Sequence, residues 1–357
     1  MKDPVLWVLA LLIGVQGCLH PRAFIPAVQS IHLPTLMVLG GLMMLTQGIQ
    51  QSQTLPWIGR HILNHLQQER VLALFMIVIS VLLSTLLTND ITLFVVIPLV
   101  LAVRQQAHLP WRSFVVFITL AVNVGSLLSP IGNPQNIFLW QRSHEPFLQF
   151  FGLMAPWGLI LLVGLLLLTW WRFPAQAVTV HLEDPSALPD RRMFWISVWL
   201  YFPFLILVDE GYPWLACLLT MGLGAVYRTL WRTLDWGLLL TFSLFFVAVS
   251  QFSSFVTPLT LMGTHPSPLR TLFVSALLSQ VMSNVPATLF LESAGGSMRA
   301  LAYGVNAGGF GLFIGSLANL IALRMAQDPM VWKEFHRYSF PFLGFSLLTA
   351  AVLLQWT

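Results

Sequence analysis

The sequence predicts an all-α polytopic membrane protein made of two inverted repeats, each with a re-entrant hairpin and a broken transmembrane helix. Composition comes first: hydrophobic residues form 57% of the 357-residue chain and charged residues only 8%, against roughly 25% charged in a soluble domain. So few charges could not cover a water-facing surface. Second, apolar runs of spanning length recur at 33–50, 70–87, 113–128, 147–171, 193–208, 236–255, 299–323 and 338–356. Third, one polar pattern occurs twice. Asn123, Gly132 and Asn136 in NVGSLLSPIGNPQN have the spacing of Asn306, Gly315 and Asn319 in NAGGFGLFIGSLAN, 183 residues later. Each copy follows a polar interruption of an apolar run, LLTNDITLF around Asn89 and VMSNVPATLF around Asn284.

Taken in order, residues 4–19 and 33–50 read as spans. VQGC at 15–18 loosely matches a lipoprotein cleavage site, but Gln16 fits it poorly, so 4–19 is expected to be a retained first span. LPWIGRHILNHLQQER (55–70) is too polar to cross and reads as an interfacial amphipathic helix. Residues 70–103 form two arms around Thr88, Asn89 and Asp90, a hairpin entering from the cytoplasm. A helix at 113–140 is broken near 128–136, and a span follows at 147–171. The first repeat is therefore 1–172 and the Pro-rich, acidic stretch 173–192 a cytoplasmic linker. The second repeat, 193–357, has spans at 193–208, 213–227 and 236–255, a hairpin at 268–291, a broken helix at 299–323 and a last span at 338–356. Pairing the breaks aligns 4–19 with 213–227 and 33–50 with 236–255 in opposite directions, leaving 193–208 without a counterpart.

Basic residues set the expected orientation. With the N-terminus cytoplasmic, the C-terminus periplasmic and the hairpins re-entrant, 13 of 17 basic residues fall inside, Lys2 among them. Only Arg22, Arg142, Arg270 and Arg299 fall outside. Because these charges are scattered singly, they are no nucleic-acid footprint. Cys18 and Cys217 sit in apolar runs and read as packed thiols. Glu292, Asp209 and Glu210 fall at span ends and read as solvated. His61 and His65 stand four apart, a metal-compatible spacing without a third ligand nearby.

The breaks are where the chemistry concentrates. A bilayer offers no hydrogen bonds, so unwound backbone persists there only if protein or a wet cavity satisfies it. Pro130 and Pro134 remove donors and Gly132 permits unusual dihedrals, so SPIGNPQN should not be helical. Broken ends expose carbonyls suited to a cation and half-helix N-termini suited to an anion. The candidate binding residues are Thr88, Asn89, Asp90, Ser129, Gly132, Asn133 and Asn136 in the first half. In the second they are Ser283, Asn284, Thr288, Gly315, Ser316 and Asn319, with Gln135 a further polar group beside Asn136. Singly, each could merely bond a neighbouring helix; recurrence at matched positions favours a ligand. Asp90 is the one acid placed deep in the membrane, where a charge costs roughly 2.5–3.5 kcal/mol on insertion scales. It is the candidate coupling-ion or proton site, with a plain helix cap as the competing role. Its counterpart is Val285.

On these motifs the chain resembles the ion transporter superfamily, which includes the arsenite permease and sodium/proton antiporter branch, the divalent anion symporters and the YbiR-type inner-membrane permeases. TND at 88–90 and SNV at 283–285 are similar to that group's hairpin tips, and PIGNPQN at 130–136 and GSLAN at 315–319 to its broken helices. The resemblance implies a homodimer whose hairpins and broken helices move as an elevator against a scaffold. It also implies that hairpin-tip Asn and Ser/Thr groups hold cation and substrate. Asp90 and Val285 depart from the symporter tips, and the chain is one N-terminal span shorter than the family pattern.

The expected function is secondary active transport of a small anion or oxyanion in a bacterial inner membrane, coupled to Na+ or H+. The alternative is proton-coupled efflux of arsenite-like metalloids or Na+. No cofactor is expected, nor any metal beyond a Na+ coupling ion, and the expected partners are a small anionic solute and the lipid bilayer. The absence of a P-loop argues against direct ATP drive, and no HExxH or catalytic dyad marks an enzyme. Break geometry alone does not separate a carrier from a passive channel.

Overall fold

The computed structural model describes residues 4–19, 21–104, 109–179, 182, 188–253, 257–263 and 265–356. Lys2 and part of the 173–192 linker lie outside them. The first half comprises α1 (Pro4–Leu19), α2 (Pro21–Gln29), α3 (Leu33–Gln51) and the short α4 (Thr54–Leu63). It continues with the pair α5 (Glu69–Leu86) and α6 (Asn89–Arg104), then α7 (Trp111–Leu128), α8 (Pro134–Ser143) and α9 (Phe147–Arg172). The second half begins with α10 (Arg191–Asp209), α11 (Pro213–Val226), α12 (Thr229–Thr233), α13 (Trp236–Ser253) and α14 (Pro258–Met262). The pair α15 (Pro268–Met282) and α16 (Asn284–Glu292) follows, then α17 (Met298–Ala307), a 3-10 turn Phe313–Gly315, α18 (Leu317–Ala326) and α19 (Pro329–Gln355).

Seven of these helices are long and apolar enough to cross a membrane: α3, α5, α7, α9, α10, α13 and α19. The architecture is that of a polytopic membrane protein. Helix starts follow local chemistry: Pro opens α3, α8, α11, α15 and α19, where its missing N–H costs nothing. Side chains of Asp190, Ser267, Ser297 and Asp328 cap α10, α15, α17 and α19.

Burial sorts the long helices. In α7, 89% of the spanning window is inside the protein, against 22–28% in α9, α10, α13 and α19. Thus α7 is the axis of one bundle, packed by α5, α6, α9, α18 and α19, and the four outer helices turn apolar faces outward as lipid-facing helices do.

The packing repeats between halves. α5 lies on α7 as α15 lies on α17, and α7 on α9 as α17 on α19. Across the halves α6 packs on α18 while α16 packs on α8, and α11 packs on α3 while α1 packs on α13. α16, with nine residues, extends roughly 14 Å at 1.5 Å per residue, under half the hydrocarbon thickness. α5 has 18 residues, which is enough length to cross, so arm length alone does not make 70–103 a hairpin.

Several expectations need correction. α19 starts at Pro329 rather than 338, because Asp328 caps the helix there and Lys333, Glu334, His336 and Arg337 interrupt the apolar run before 338. The short α2, α12 and α14 escape a search for apolar runs. SPIGNPQN is non-helical only through Asn133, since Pro134, Gln135 and Asn136 form the first turn of α8. Cys18 is exposed and Cys217 half-buried, so Cys18 is not a packed thiol. The linker is stitched down where it is described: Glu69 N donates to Gln176 O at 2.9 Å and Val178 N to Gln67 O at 2.9 Å. The His61 and His65 rings are 5.1 Å apart, and His65 Nδ1 bonds the His61 carbonyl at 2.8 Å. Among the described residues no group of three ligands forms there.

Candidate functional site

Four helices begin at the interruptions: α6 at Asn89, α8 at Pro134, α16 at Asn284 and α18 at Leu317. Each N-terminus has amides that the helix's own ladder cannot pair, and a partial positive charge; several of them are met locally, Asn89 N by Gly132 O and Asp90 N by Asn89 Oδ1.

Between α7 and α8 the chain is unwound from Ser129 to Asn133. Asn133 Oδ1 accepts from Asn136 N at 2.9 Å, capping α8, and Asn136 Nδ2 donates to the carbonyls of Ser126, Leu127 and Ser129 at 3.1–3.2 Å. Gly132 is required here, because a Cβ would lie 2.3 Å from Ser126 O. Its carbonyl accepts from Asn89 N at 2.9 Å, tying the first tip to the first break. In the second half Gly315 is pressed on Gly308 O in the same way, a Cβ there falling 2.2 Å from it.

The halves lock through crossed asparagines. Asn123 Nδ2 donates to Asn319 Oδ1 at 2.7 Å, and Asn306 Nδ2 donates to Asn136 Oδ1 at 2.8 Å. The first asparagine of each break thus bonds the second asparagine of the other. Asn133 Nδ2 reaches Asn306 Oδ1 at 2.9 Å, Gln135 Nε2 reaches it at 3.4 Å, and Asn319 Nδ2 donates to Gly309 O at 2.8 Å. These side chains are all at most 6% exposed, so a neutral, hydrogen-bonded lattice fills the centre.

The arms supply matching supports. Ser84 donates to Val122 O at 2.8 Å and packs on Gly125, while its counterpart Ser279 packs on Gly308. Thr85 Oγ1 bonds Gly125 O at 3.0 Å, and its counterpart Gln280 bonds Gly308 O at 2.7 Å, Phe310 O at 2.9 Å and Leu312 N at 2.7 Å. Gln280 thereby satisfies the unwound stretch between α17 and the 3-10 turn.

Where the twofold pattern fails, polar atoms are left over. Asn133 caps α8, but its counterpart Ser316 makes no side-chain cap, and its buried Oγ has no partner. Gln135 Oε1 and Asp90 Oδ1 are likewise buried without partners. Asp90 therefore does not act as a cap through that oxygen; the Asp90 amide bonds Asn89 Oδ1 at 2.9 Å instead. Each such orphan costs about 1–3 kcal/mol. Ser283 at the second tip has φ 72° and ψ 159°, a region essentially reserved for glycine that costs about 1–3 kcal/mol. These three orphaned atoms and the strained Ser283 lie at or beside the four interruptions, while other buried atoms without a partner, such as Ser197 Oγ and Thr241 Oγ1, lie elsewhere.

Of the predicted residues, the structure joins Asn89, Ser129, Gly132, Asn133, Asn136 and Asn319 in this network. Thr88 turns its carbonyl to Thr92 Oγ1 at 3.0 Å, and Thr288 Oγ1 bonds Asn284 O at 2.7 Å, both within their own helix. Ser283 Oγ meets Asn284 Oδ1 at 3.4 Å. Sequence reasoning singled out Asn123 and Asn306 only as spacing marks, and it missed Ser84, Thr85, Ser126, Ser279 and Gln280. A polar residue four or five positions before each tip was the available signal.

The citrate transporter family matches residues 4–298. The chain belongs to that family, within the ion transporter superfamily. An Escherichia coli (strain K12) inner membrane protein, YbiR, is 40% identical over 325 residues, covering 90% of this chain and 87% of its own. An uncharacterized transporter of Methanocaldococcus jannaschii is 29% identical over 297 residues, 82% of this chain and 81% of its own. A silicon efflux transporter of Oryza sativa subsp. japonica is 30% identical over 170 residues, 46% of this chain and 33% of its own. The citrate transporter family and these relatives place the chain among transporters rather than enzymes, in keeping with its seven spanning-length helices.

Proposed function

We propose that this protein is a secondary active transporter of a small anion or oxyanion, coupled to Na+ or H+. The observation that carries this is the neutral asparagine lattice at which α8 and α18 begin, with the first residue of α6 tied to it through the Asn89 N–Gly132 O hydrogen bond. A bare anion can be held there by amides and side-chain N–H groups without a fixed counter-charge. Asn89, Asn284 and the half-helix N-termini bind substrate. Thr88, Ser283 and Thr288 shape the tips, and Asp90 takes the coupling ion together with the remaining lone pairs of the Ser129 and Gly132 carbonyls, each of which already accepts from the protein.

The crossed pairs Asn123–Asn319 and Asn306–Asn136, the twin glycine contacts and the exchanged packing of α6–α18 and α16–α8 support two inverted repeats over 1–172 and 193–357. The nine-residue α16 supports a re-entrant second hairpin. In this reading α5–α9 and α15–α19 move as an elevator against α1–α3 and α10–α13 in a homodimer of the inner membrane, with the N-terminus cytoplasmic and the C-terminus periplasmic. Efflux of a metalloid is the second reading, favoured by the silicon efflux relative and by the lone Asp90.

The test is purified protein in proteoliposomes under imposed Na+ or pH gradients, screened against carboxylates, inorganic oxyanions and metalloids. Gradient-dependent accumulation of an anion is expected. Gradient-independent flux far above about 10³ per second, beyond usual turnover, would establish a channel instead. If Asp90→Asn leaves pH dependence unchanged, the proton role is lost.

A further inference from the structure

A cavity of about 390 Å³ opens away from the asparagine lattice, between the C-terminal ends of α8 and α16 and the N-terminal ends of α9 and α17. Ligand pockets begin near 300 Å³, so it is large enough for a small solute. Its charged lining is Arg142, Glu145, Glu292 and Arg299. Glu292, expected to be simply solvated, accepts from Arg142 Nε at 3.0 Å, so these two charges cancel. Arg299 has no such neutralisation: its Nε and Nη2 donate to the neutral Tyr303 hydroxyl at 3.2 and 3.1 Å. Among the described residues no carboxylate lies within 4.0 Å of it.

The guanidinium is also held in place. Tyr303 is fully buried, its hydroxyl donates to Leu153 O at 3.0 Å, and its ring stacks on buried Trp157 at 4.7 Å. That contact occupies only part of the five-donor fork of an arginine. Holding Arg299 in place beforehand lowers the entropic cost of binding. Gly295 and Gly296, at φ +72° and +108°, let the α16–α17 turn line the cavity without side chains.

We propose that this cavity is an outer anion-binding site, separate from the asparagine lattice, in which Arg299 takes the carboxylate of a small monoanion before transfer to the centre. Glu145 on the same lining selects against dianions by repulsion. The inference rests on the anion-transport reading for its direction but is tested separately from it.

The experiment uses the full-length protein in nanodiscs, its thermal unfolding followed in sodium acetate against sodium chloride at constant ionic strength, with sodium sulfate as the dianion. Acetate should raise the midpoint of the wild type more than sulfate does. Arg299→Gln should weaken apparent acetate affinity roughly tenfold or more, as for losing one charge-assisted pair, and Arg299→Lys should recover part of it. Glu145→Gln should tighten acetate and admit sulfate. Asn284→Ala should lose at most the central share of the acetate response and keep the share that depends on Arg299, which adding Arg299→Gln should then remove. If Arg299→Gln keeps the response and Asn284→Ala loses it, the anion binds only at the centre: the outer site is refuted and the transport reading stands. If no variant alters the response, or acetate has no effect, the outer site is refuted as well. Should Arg299→Gln fail to fold, Glu145→Gln decides, and an unchanged or weaker acetate response overturns the proposal.

Discussion

Truncating Asn319 to alanine tests whether the two halves are locked by crossed asparagines. In the folded protein Asn319 Oδ1 accepts from Asn123 at 2.7 Å and Nδ2 donates to Gly309 O at 2.8 Å. Losing two hydrogen bonds costs about 0.5–1.5 kcal/mol each, and stranding the buried Asn123 amide adds about 1–3 kcal/mol, so Asn319→Ala should cost about 2–6 kcal/mol. Asn123 keeps only a 3.5 Å contact to Gly309 O. Once it is stranded, removing it adds little, so Asn123→Ala and Asn319→Ala together should cost less than their sum, by about 0.5–3 kcal/mol. Asn306→Ala with Asn136→Ala should show the same coupling. The assay is equilibrium unfolding of purified protein in mixed detergent–SDS micelles, followed by intrinsic tryptophan fluorescence. Costs that add within about 0.5 kcal/mol for both pairs would refute the lattice.

Three further outcomes follow from named geometry. Ser283→Gly should stabilise by about 1 kcal/mol in the same unfolding assay, relieving its strained φ and ψ net of glycine's entropy; destabilisation would contradict the strain. Gly308→Ala, whose Cβ would fall 2.3 Å from Ser279 Cβ, should cost about 1–3 kcal/mol, whereas Gly152→Ala, with nothing within 4 Å, should be near neutral. His32 accepts from Thr35 N at 3.3 Å as the cap of α3. Burial, chiefly, and Arg142 hold its imidazole below the ordinary value of 6.5 against the weaker upward pull of Glu292, with His144 also lowering it. The folded state therefore binds fewer protons than the unfolded one, so the midpoint should fall as pH drops below about 6.5, and His32→Gln should flatten that slope between pH 7 and 5.

The sequence showed the breaks but not how they are joined. Pro130, Pro134 and the glycines around 308–315 interrupt helices by local rules, and those rules located the breaks, although Pro134 to Asn136 proved to be the first turn of α8. The twin spacing of Asn123 and Asn136 with Asn306 and Asn319 is the sequence mark of the proposed duplication. That the first of each pair bonds the second of the other is a long-range contact that no local spacing contains. Gln280 and Thr85 escaped notice for a related reason: each follows a serine in a short polar pair on an otherwise apolar arm, and its purpose, a carbonyl freed by the neighbouring helix, exists only once the arms pack. α2, α12 and α14 were missed because they are short, and α2 also carries Pro26.

Transport by Asn89→Ala and Asn284→Ala measures the central claim most directly. Each variant would be reconstituted beside wild type and assayed for the solute that the gradient screen identifies, with tryptophan fluorescence confirming folded protein. The account predicts that both variants remain folded and that uptake is abolished in each. Wild-type rates in both would contradict a substrate site formed where the four helices begin.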